Sequence, residues 1–339
     1  MTKGQHFIKI ANGNIKRAQT PIIISASRAT DIPAFYSDWL IDRFKKGYVK
    51  WKNPFNGVPI YISLEHVRLI VFWSKNPRPL IQHLDYFNDR NINYYFQYTL
   101  NDYEHDNLEL NVPKLNIRID TFKELSDKIG KSKIIWRFDP LIMTNKIGVD
   151  ELLRKTELIG NQLKGYTDKM VFSYADIRVY KKVQYNLQNN NIKYVEFDEN
   201  TMKEYAAGLR NLNRNWGFEI GTCSEKIALE EFGIVHNKCI DDDLMIRLFQ
   251  HDKILMDYLG VRISPADIFH SEYKIEKLKK NKDKGQREFC GCVTSKDIGE
   301  YNTCPHLCEY CYANASKDLA IANWKKHKIN PNSEMIKGE

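Results

Sequence analysis

No stretch of this chain approaches the ~18 uncharged apolar residues of a membrane-crossing helix, so nothing in the sequence reads as a bilayer span. The first residues, Met1-Thr2-Lys3-Gly4-Gln5-His6, lack the apolar run of a secretory signal. Cysteine is sparse: 7 in 339 residues, an odd number, all confined to positions 223–311. Thiols so few and so clustered favour reduced metal ligands over a disulfide framework, and with them a bacterial-type cytoplasmic setting. Internal repeats are absent, and the one biased tract is a lysine-rich run at residues 274–287.

What is present suits a globular protein. Apolar residues make up 42% of the chain and aromatics 12%, enough for one large domain or two modest ones. The 51 Lys and Arg outnumber the 43 Asp and Glu, for a net charge of +8. That excess fits a polyanionic partner such as nucleic acid. It fits a solvated surface as well, because the lysines are dispersed.

Short apolar runs rich in β-branched and aromatic residues recur at 21–26, 67–73, 94–99, 133–138, 169–173 and 218–222. Their nearly continuous hydrophobicity predicts parallel strands buried on both faces. Amphipathic helices are expected between them at 34–46, 78–88, 118–129, 149–163 and 201–212. Alternation of this kind implies an α/β fold, a partial or full TIM-like barrel. The polar loops that follow the strands, at 27–31, 74–77, 139–140 and 174–176, then gather where such barrels carry their chemistry. The regular rhythm stops near residue 225. Three regions are expected: residues 1–225 as the main part of the barrel, 226–292 as a cysteine-containing insertion and linker, and 293–339 as a cluster-binding unit. Residues 274–287 read as a charged linker or surface helix, and 325–339 as a frayed tail.

The most specific signal is Cys304-Pro-His-Leu-Cys308-Glu-Tyr-Cys311. A Cys-x3-Cys-x2-Cys triplet offers three thiolates to a four-iron cluster and leaves one iron open. Zinc is the competing occupant, since Cys308 and Cys311 form half of a zinc knuckle. The remaining thiols, Cys223, Cys239, Cys290 and Cys292, are the right complement for a second cluster or a closed zinc site. Cys223 and Cys239 also suit small buried core residues. Gly291 lets the backbone curl between Cys290 and Cys292. His306 reads as a partner for local backbone.

The triplet, continuing as Cys311-Tyr312-Ala313, resembles the cluster motif of radical S-adenosylmethionine (radical SAM) enzymes, in particular the spore photoproduct lyase-like branch. The resemblance extends to Thr30-Asp31-Ile32-Pro33, to Phe72-Trp73-Ser74-Lys75-Asn76-Pro77, and to Phe96-Gln97-Tyr98-Thr99-Leu100. Further on, Leu108–Pro113 with Arg118, and Trp136-Arg137-Phe138-Asp139-Pro140, are similar to later segments of that branch. The chain also resembles a bacterial family with the start Ser27-Arg28-Ala29-Thr30-Asp31-Ile32-Pro33 and the end Cys290-Gly-Cys292…Cys304-Pro-His. Ordinary radical SAM members carry the cysteine loop after the first strand. Here it is C-terminal, so the resemblance implies a circular permutation, with 293–295 as the displaced strand and 315–327 as its helix. No glycine-glycine-glutamate element for the methionine amine is evident.

The likeness implies that Cys304, Cys308 and Cys311 hold a 4Fe–4S cluster. S-adenosylmethionine would bind its open iron and be cleaved reductively to a 5′-deoxyadenosyl radical that takes hydrogen from a substrate, nucleic acid or nucleoside among the options. An electron donor such as flavodoxin or ferredoxin is implied. Tyr310 is placed by the match near adenine, Lys75 at the cofactor carboxylate and Thr99 nearby. Arg28 and Asp31 are substrate-side candidates. Arg137, a charge inside an apolar run, is either a ligand for carboxylate or phosphate or the partner of Asp139 or Asp31. Tyr36, Trp51 and Phe55 are aromatics that either stack on a base or pack in the core. Two other readings stand beside this one: a zinc-stabilised nucleic-acid-binding protein without redox activity, and a hydrolase using Asp31, Asp139 and Asp176 with a divalent metal.

Overall fold

The computed structural model describes residues 6–264, 274–279, 281–287 and 289–339. Its centre is an eight-stranded sheet. In chain order the strands are β1 (Ile23–Ala26), β2 (Leu69–Ser74), β3 (Asn93–Thr99), β4 (Ile134–Leu141), β5 (Lys169–Tyr174), β6 (Glu219–Thr222), β7 (Ile234–His236) and β8 (Lys296–Asp297). Every pairing between them is parallel. The spatial order runs β7-β6-β5-β4-β3-β2-β1-β8, so the sheet has two edges and the described strands do not close a ring by hydrogen bonds. All six strands expected from apolar runs are present.

The near-continuous apolar strands follow from burial on both faces. Ile70, Phe72, Phe96, Trp136, Met170 and Phe172 face a helical layer, while Val71, Tyr95, Ile135 and Val171 face the opposite way. The helical layer includes α1 (Ser37–Lys46), α2 (Leu115–Ile129), α3 (Val149–Leu163) and α5 (Glu199–Trp216), with α4 (Lys181–Asn189) nearer the loops. Each of α1, α2, α3 and α5 contains or contains most of an expected amphipathic segment; the stretch 78–88 is two shorter helices, Arg78–Ile81 and Leu84–Asn88. Contact between α3 and α5 is close. A Cβ built on Gly160 would stand 2.4 Å from the Trp216 ring. The second face is covered by α6 (Asp242–Phe249) and α7 (Lys253–Leu259).

Beyond residue 225, where the regular strand–helix rhythm was expected to stop, the chain supplies this second layer. The apolar residues of α6 and α7, among them Leu244, Met245, Phe249 and Leu259, pack on strand side chains rather than repeating a βα unit. The described residues of 274–287, expected as a linker or surface helix, form no helix. Lys274–Lys277 pairs antiparallel with Val261–Ser264. The end of the chain is not frayed. Trp39 Nε1 donates to Ser333 O at 2.9 Å, Arg43 donates to Asn332 O at 2.9 Å, and Met335 and Ile336 are buried. A small sheet of His6–Lys9, Ile15–Gln19, Pro59–Ser63 and Tyr48–Lys52 stands apart from the main one. Its Tyr48 hydroxyl accepts from Ala11 N at 2.8 Å and donates to Glu334 Oε1, bringing the two ends of the chain to one atom.

A C-terminal strand and helix lie at the sheet's edge, the strand starting just after the expected 293–295. Lys296 and Asp297 pair with Ile24 and Ser25 of β1. The cysteine loop follows, and then α8 (Lys317–Ile329), close to the expected 315–327. Asp297 fastens this edge by accepting from Arg28 N at 3.0 Å.

Candidate functional site

The cysteine loop folds back over the C-terminal ends of the strands. Its backbone is laid against residues 108–111: Glu109 and Cys308 form an antiparallel bridge, Glu309 N donates to Leu108 O, and Asn111 N donates to His306 O at 3.0 Å. Within the loop, Cys311 N donates to Cys308 O and Asn314 Nδ2 to Cys304 O. Cys308 is buried, and Cys304 and Cys311 are half-buried. Burial pushes all three thiols up, Cys304 to about 12. A coordinated metal reverses that preference, because a coordinating thiol is deprotonated outright.

Cations wait beside the thiols. Lys75, at the end of β2, places Nζ 2.7 Å from Glu109 Oε1 and 2.8 Å from the Tyr310 hydroxyl. Tyr310 also donates to Glu109, and Asn101 Nδ2 reaches the same oxygen at 3.2 Å. Arg118 brings a second cation: Nη1 lies 3.6 Å from Glu109 Oε2, and neither of those two buried atoms has a hydrogen bond among the described residues. Burial opposes ionisation of Glu109, yet Lys75 and Arg118 hold its carboxyl down to about 2. Lys75 is raised despite burial, by Glu109 and by Cys308.

Asp31 ties this site together. Its carboxylate accepts from Ser74 Oγ at 2.7 Å, Lys75 N at 2.7 Å and Ala34 N at 3.0 Å, and meets His306 Nε2 at 2.8 Å. One side chain therefore links the ends of β1 and β2 to the cysteine loop. His306 bonds Asp31 and the distant Asn111 carbonyl, so the expectation of a local backbone partner is corrected.

The other four thiols come from two stretches far apart in sequence and converge at the ends of β5 and β6. Cys223 and Cys239 stand with sulfurs 3.4 Å apart. Cys292 Sγ accepts from Cys239 N and Ile240 N at 3.3 Å each, and Cys290 lies two residues before it in the same stretch. A hydrogen bond from Cys292 lowers Cys290 to about 6. Arg137 donates to Cys239 Sγ at 3.1 Å and to Gln97 Oε1 at 3.2 Å, and pairs with Asp139. Asp139 in turn accepts from Ser173. Arg137 is thus the partner of Asp139, not of Asp31. The Arg28 guanidinium stacks over Trp73 at 5.4 Å and feels the charge of Cys292.

Spacing separates metals. Thiolates on one tetrahedral zinc, with bonds of about 2.3 Å, stand roughly 3.8 Å apart. Among the described residues, the His, Cys, Asp or Glu groups with ligand atoms all within 4.8 Å are His6–Glu65–His66 and Asp241–Asp242–Asp243. No three of the seven cysteines form such a group.

Other expectations are redistributed. Tyr36 is buried, with its hydroxyl on Thr303 O; Trp51 is half-buried, with Nε1 on Gly299 O; Phe55 is 94% exposed. Thr99 is half-buried at the end of β3, opposite Arg137. Asp31, Asp139 and Asp176 do not form a metal-sized group, Asp176 being exposed, so the acidic trio of a hydrolase is not assembled. Asn101 and Ser173 do not enter the sequence reading, and Glu109 and Arg118 enter it only as members of a matched segment, without a role. The signal that could have found Glu109 and Arg118 is two charges flanking a predicted strand and helix that both come out buried.

A family model described as "Domain of unknown function (DUF1848)" matches residues 23–313. No curated protein matches. Among solved structures, one described as a "putative alpha-L-fucosidase" from Bacteroides thetaiotaomicron VPI-5482 is similar at 12% identity, over 57% of this chain and 81% of that one. Its TM-score of 0.24 is too low to support an argument.

Proposed function

Since the chain belongs to the DUF1848 family, whose description assigns no chemistry, we propose its function from the site alone. In this proposal Cys304, Cys308 and Cys311 hold a 4Fe–4S cluster, the sheet is a circularly permuted partial barrel, and the protein is a radical SAM enzyme. The observation that supports it is three thiols from one loop beside a half-buried lysine at the C-terminal rim of a parallel sheet. Such a cluster, when bound, supplies one electron for the reductive cleavage of S-adenosylmethionine. Cys223, Cys239, Cys290 and Cys292 are the ligands of a second metal, an iron–sulfur cluster or a closed zinc site, with Arg137 and Arg28 offsetting its negative charge.

The chain's own residues do the positioning. Asp31, Lys75 and Glu109 pin the loop to the ends of β1 and β2, so its thiols are fixed before a cofactor arrives. Lys75 already has a carboxylate partner in Glu109. Its part is to stabilise a thiolate at Cys308 and hold the Tyr310 hydroxyl. At the rim, Tyr312 is 51% exposed and Tyr180 stands 6.1 Å from it. Flat faces of this kind suit a base, so the substrate in this reading is a nucleoside or nucleic acid.

Anaerobic purification with iron and sulfide analysis tests the proposal. Brown protein with about four or eight irons per chain is expected, with reductant-dependent release of 5′-deoxyadenosine. Changing Cys304, Cys308 or Cys311 to Ala should remove one cluster, and Cys290→Ala or Cys292→Ala the second metal. Colourless protein with stoichiometric zinc would overturn the reading in favour of a zinc-stabilised nucleic-acid-binding protein.

A further inference from the structure

The opposite pole of the sheet carries a second concavity. Its volume is about 580 Å³, and it opens where β2, β3 and β4 begin, against the turn between α6 and α7. That volume suits a small-molecule ligand. The lining is strongly basic: Arg68, Arg90, Lys133, Lys253 and His251, against the single acid Asp252.

Asp252 is already committed. It caps α7 through Leu255 N at 3.1 Å, accepts from Asn93 Nδ2 at 2.7 Å and pairs with Arg68 at 2.9 Å. The other cations have no acidic partner among the described residues. Lys133 lies between the rings of Tyr94, at 5.9 Å, and Phe249, at 5.7 Å, and burial alone lowers its pKa. Arg90 stacks on Tyr86 at 3.7 Å and donates to its carbonyl, which leaves the rest of its fork free of carboxylate. A half-buried lysine without a counter-ion is costly to hold charged, and an anion at that point removes the cost.

We propose that this concavity is a binding site for a phosphorylated small molecule bearing two or more negative charges, of the nucleoside polyphosphate kind. Arg90, Lys133 and Lys253 meet the phosphates, and Phe249 and Tyr94 supply the apolar wall. The site is separate from the cysteine rim and does not depend on what metal binds there.

Titration calorimetry on the full chain, with ATP, AMP and tripolyphosphate as probes, tests it. ATP should bind, and Lys133→Gln and Arg90→Ala should each weaken it by at least ~10-fold, the loss expected for one hydrogen bond to a charged group. Lys9→Ala, at an exposed lysine on the small sheet, should leave binding unchanged. If tripolyphosphate binds as ATP does and AMP does not, the phosphates alone are the recognised chemistry. If ATP exceeds both, the base or sugar contributes. Absence of binding by all three probes overturns the proposal, as does ATP binding that Lys133→Gln and Arg90→Ala leave intact. Iron content should stay constant across these variants, so failure here is distinct from failure of the cluster assignment.

Discussion

Glu109 shows what a buried carboxylate does in this fold. Lys75 and Arg118 both face it, and removing its charge leaves two buried cations without compensation. Glu109→Gln is expected to cost about 3–5 kcal/mol, measured by urea unfolding at neutral pH. A change below ~1 kcal/mol would mean that neither cation relies on it. The sign of the pH dependence follows from the lowered value. With a folded pKa of about 2 against an ordinary 4.5, its stabilisation is complete above pH 4.5 and is lost as the pH falls toward 2. The Glu109→Gln variant should lack that part of the acid transition. At this scale the sequence was only partly readable. Cys304, Cys308 and Cys311 announce themselves by spacing. Glu109 and Arg118 do not, because their partners lie 34 and 9 residues away across different elements, and no local pattern encodes such a meeting.

Among the elements, the strands were the most legible, since burial on both faces leaves an unbroken apolar run that polar loops punctuate. The helices α6 and α7 were not, because they pack on the sheet's second face at a place where the βα alternation has lapsed. The tail was misread for a related reason. Asn332 and Ser333 dock through backbone carbonyls, which carry no side-chain signature. Ile336 is 1% exposed, and Ile336→Ala is expected to cost about 2–5 kcal/mol in thermal or urea unfolding. A truly frayed tail would tolerate it. Helix packing gives a second check. Gly160→Ala would gain about 1 kcal/mol of helix propensity, but the added methyl meets a Trp216 ring held by Asn161 Oδ1 at 2.8 Å. Net destabilisation of about 1–3 kcal/mol is expected, and a stabilised variant would show that α3 and α5 can separate.

Across the whole molecule, strand order and chain order disagree at one place, where β8 lies beside β1. If that order is a matter of connectivity alone, the fold should survive a rearrangement that puts β8 ahead of β1. A variant opened in the exposed turn at Lys284–Gly285, with the original ends joined by a flexible linker, places the cysteine loop ahead of β1. It should fold to the same far-ultraviolet circular dichroism and bind the same amount of iron. Loss of cooperative unfolding would show that the present order is required. The joint is feasible because Ala11 and Glu334 meet at the Tyr48 hydroxyl, so a linker between these segments has a short span to cover.

The edge position of β8 also has a consequence for biosynthesis. A chain of 269 residues separates Arg28 from Asp297, the carboxylate that receives its amide. During translation β1 therefore leaves the ribosome long before its outer neighbour exists, with a row of unpaired backbone groups open to any passing strand. The thiols of the triplet emerge later still. A message truncated before codon 296 would yield a product that lacks both the edge strand and the triplet and is prone to aggregate.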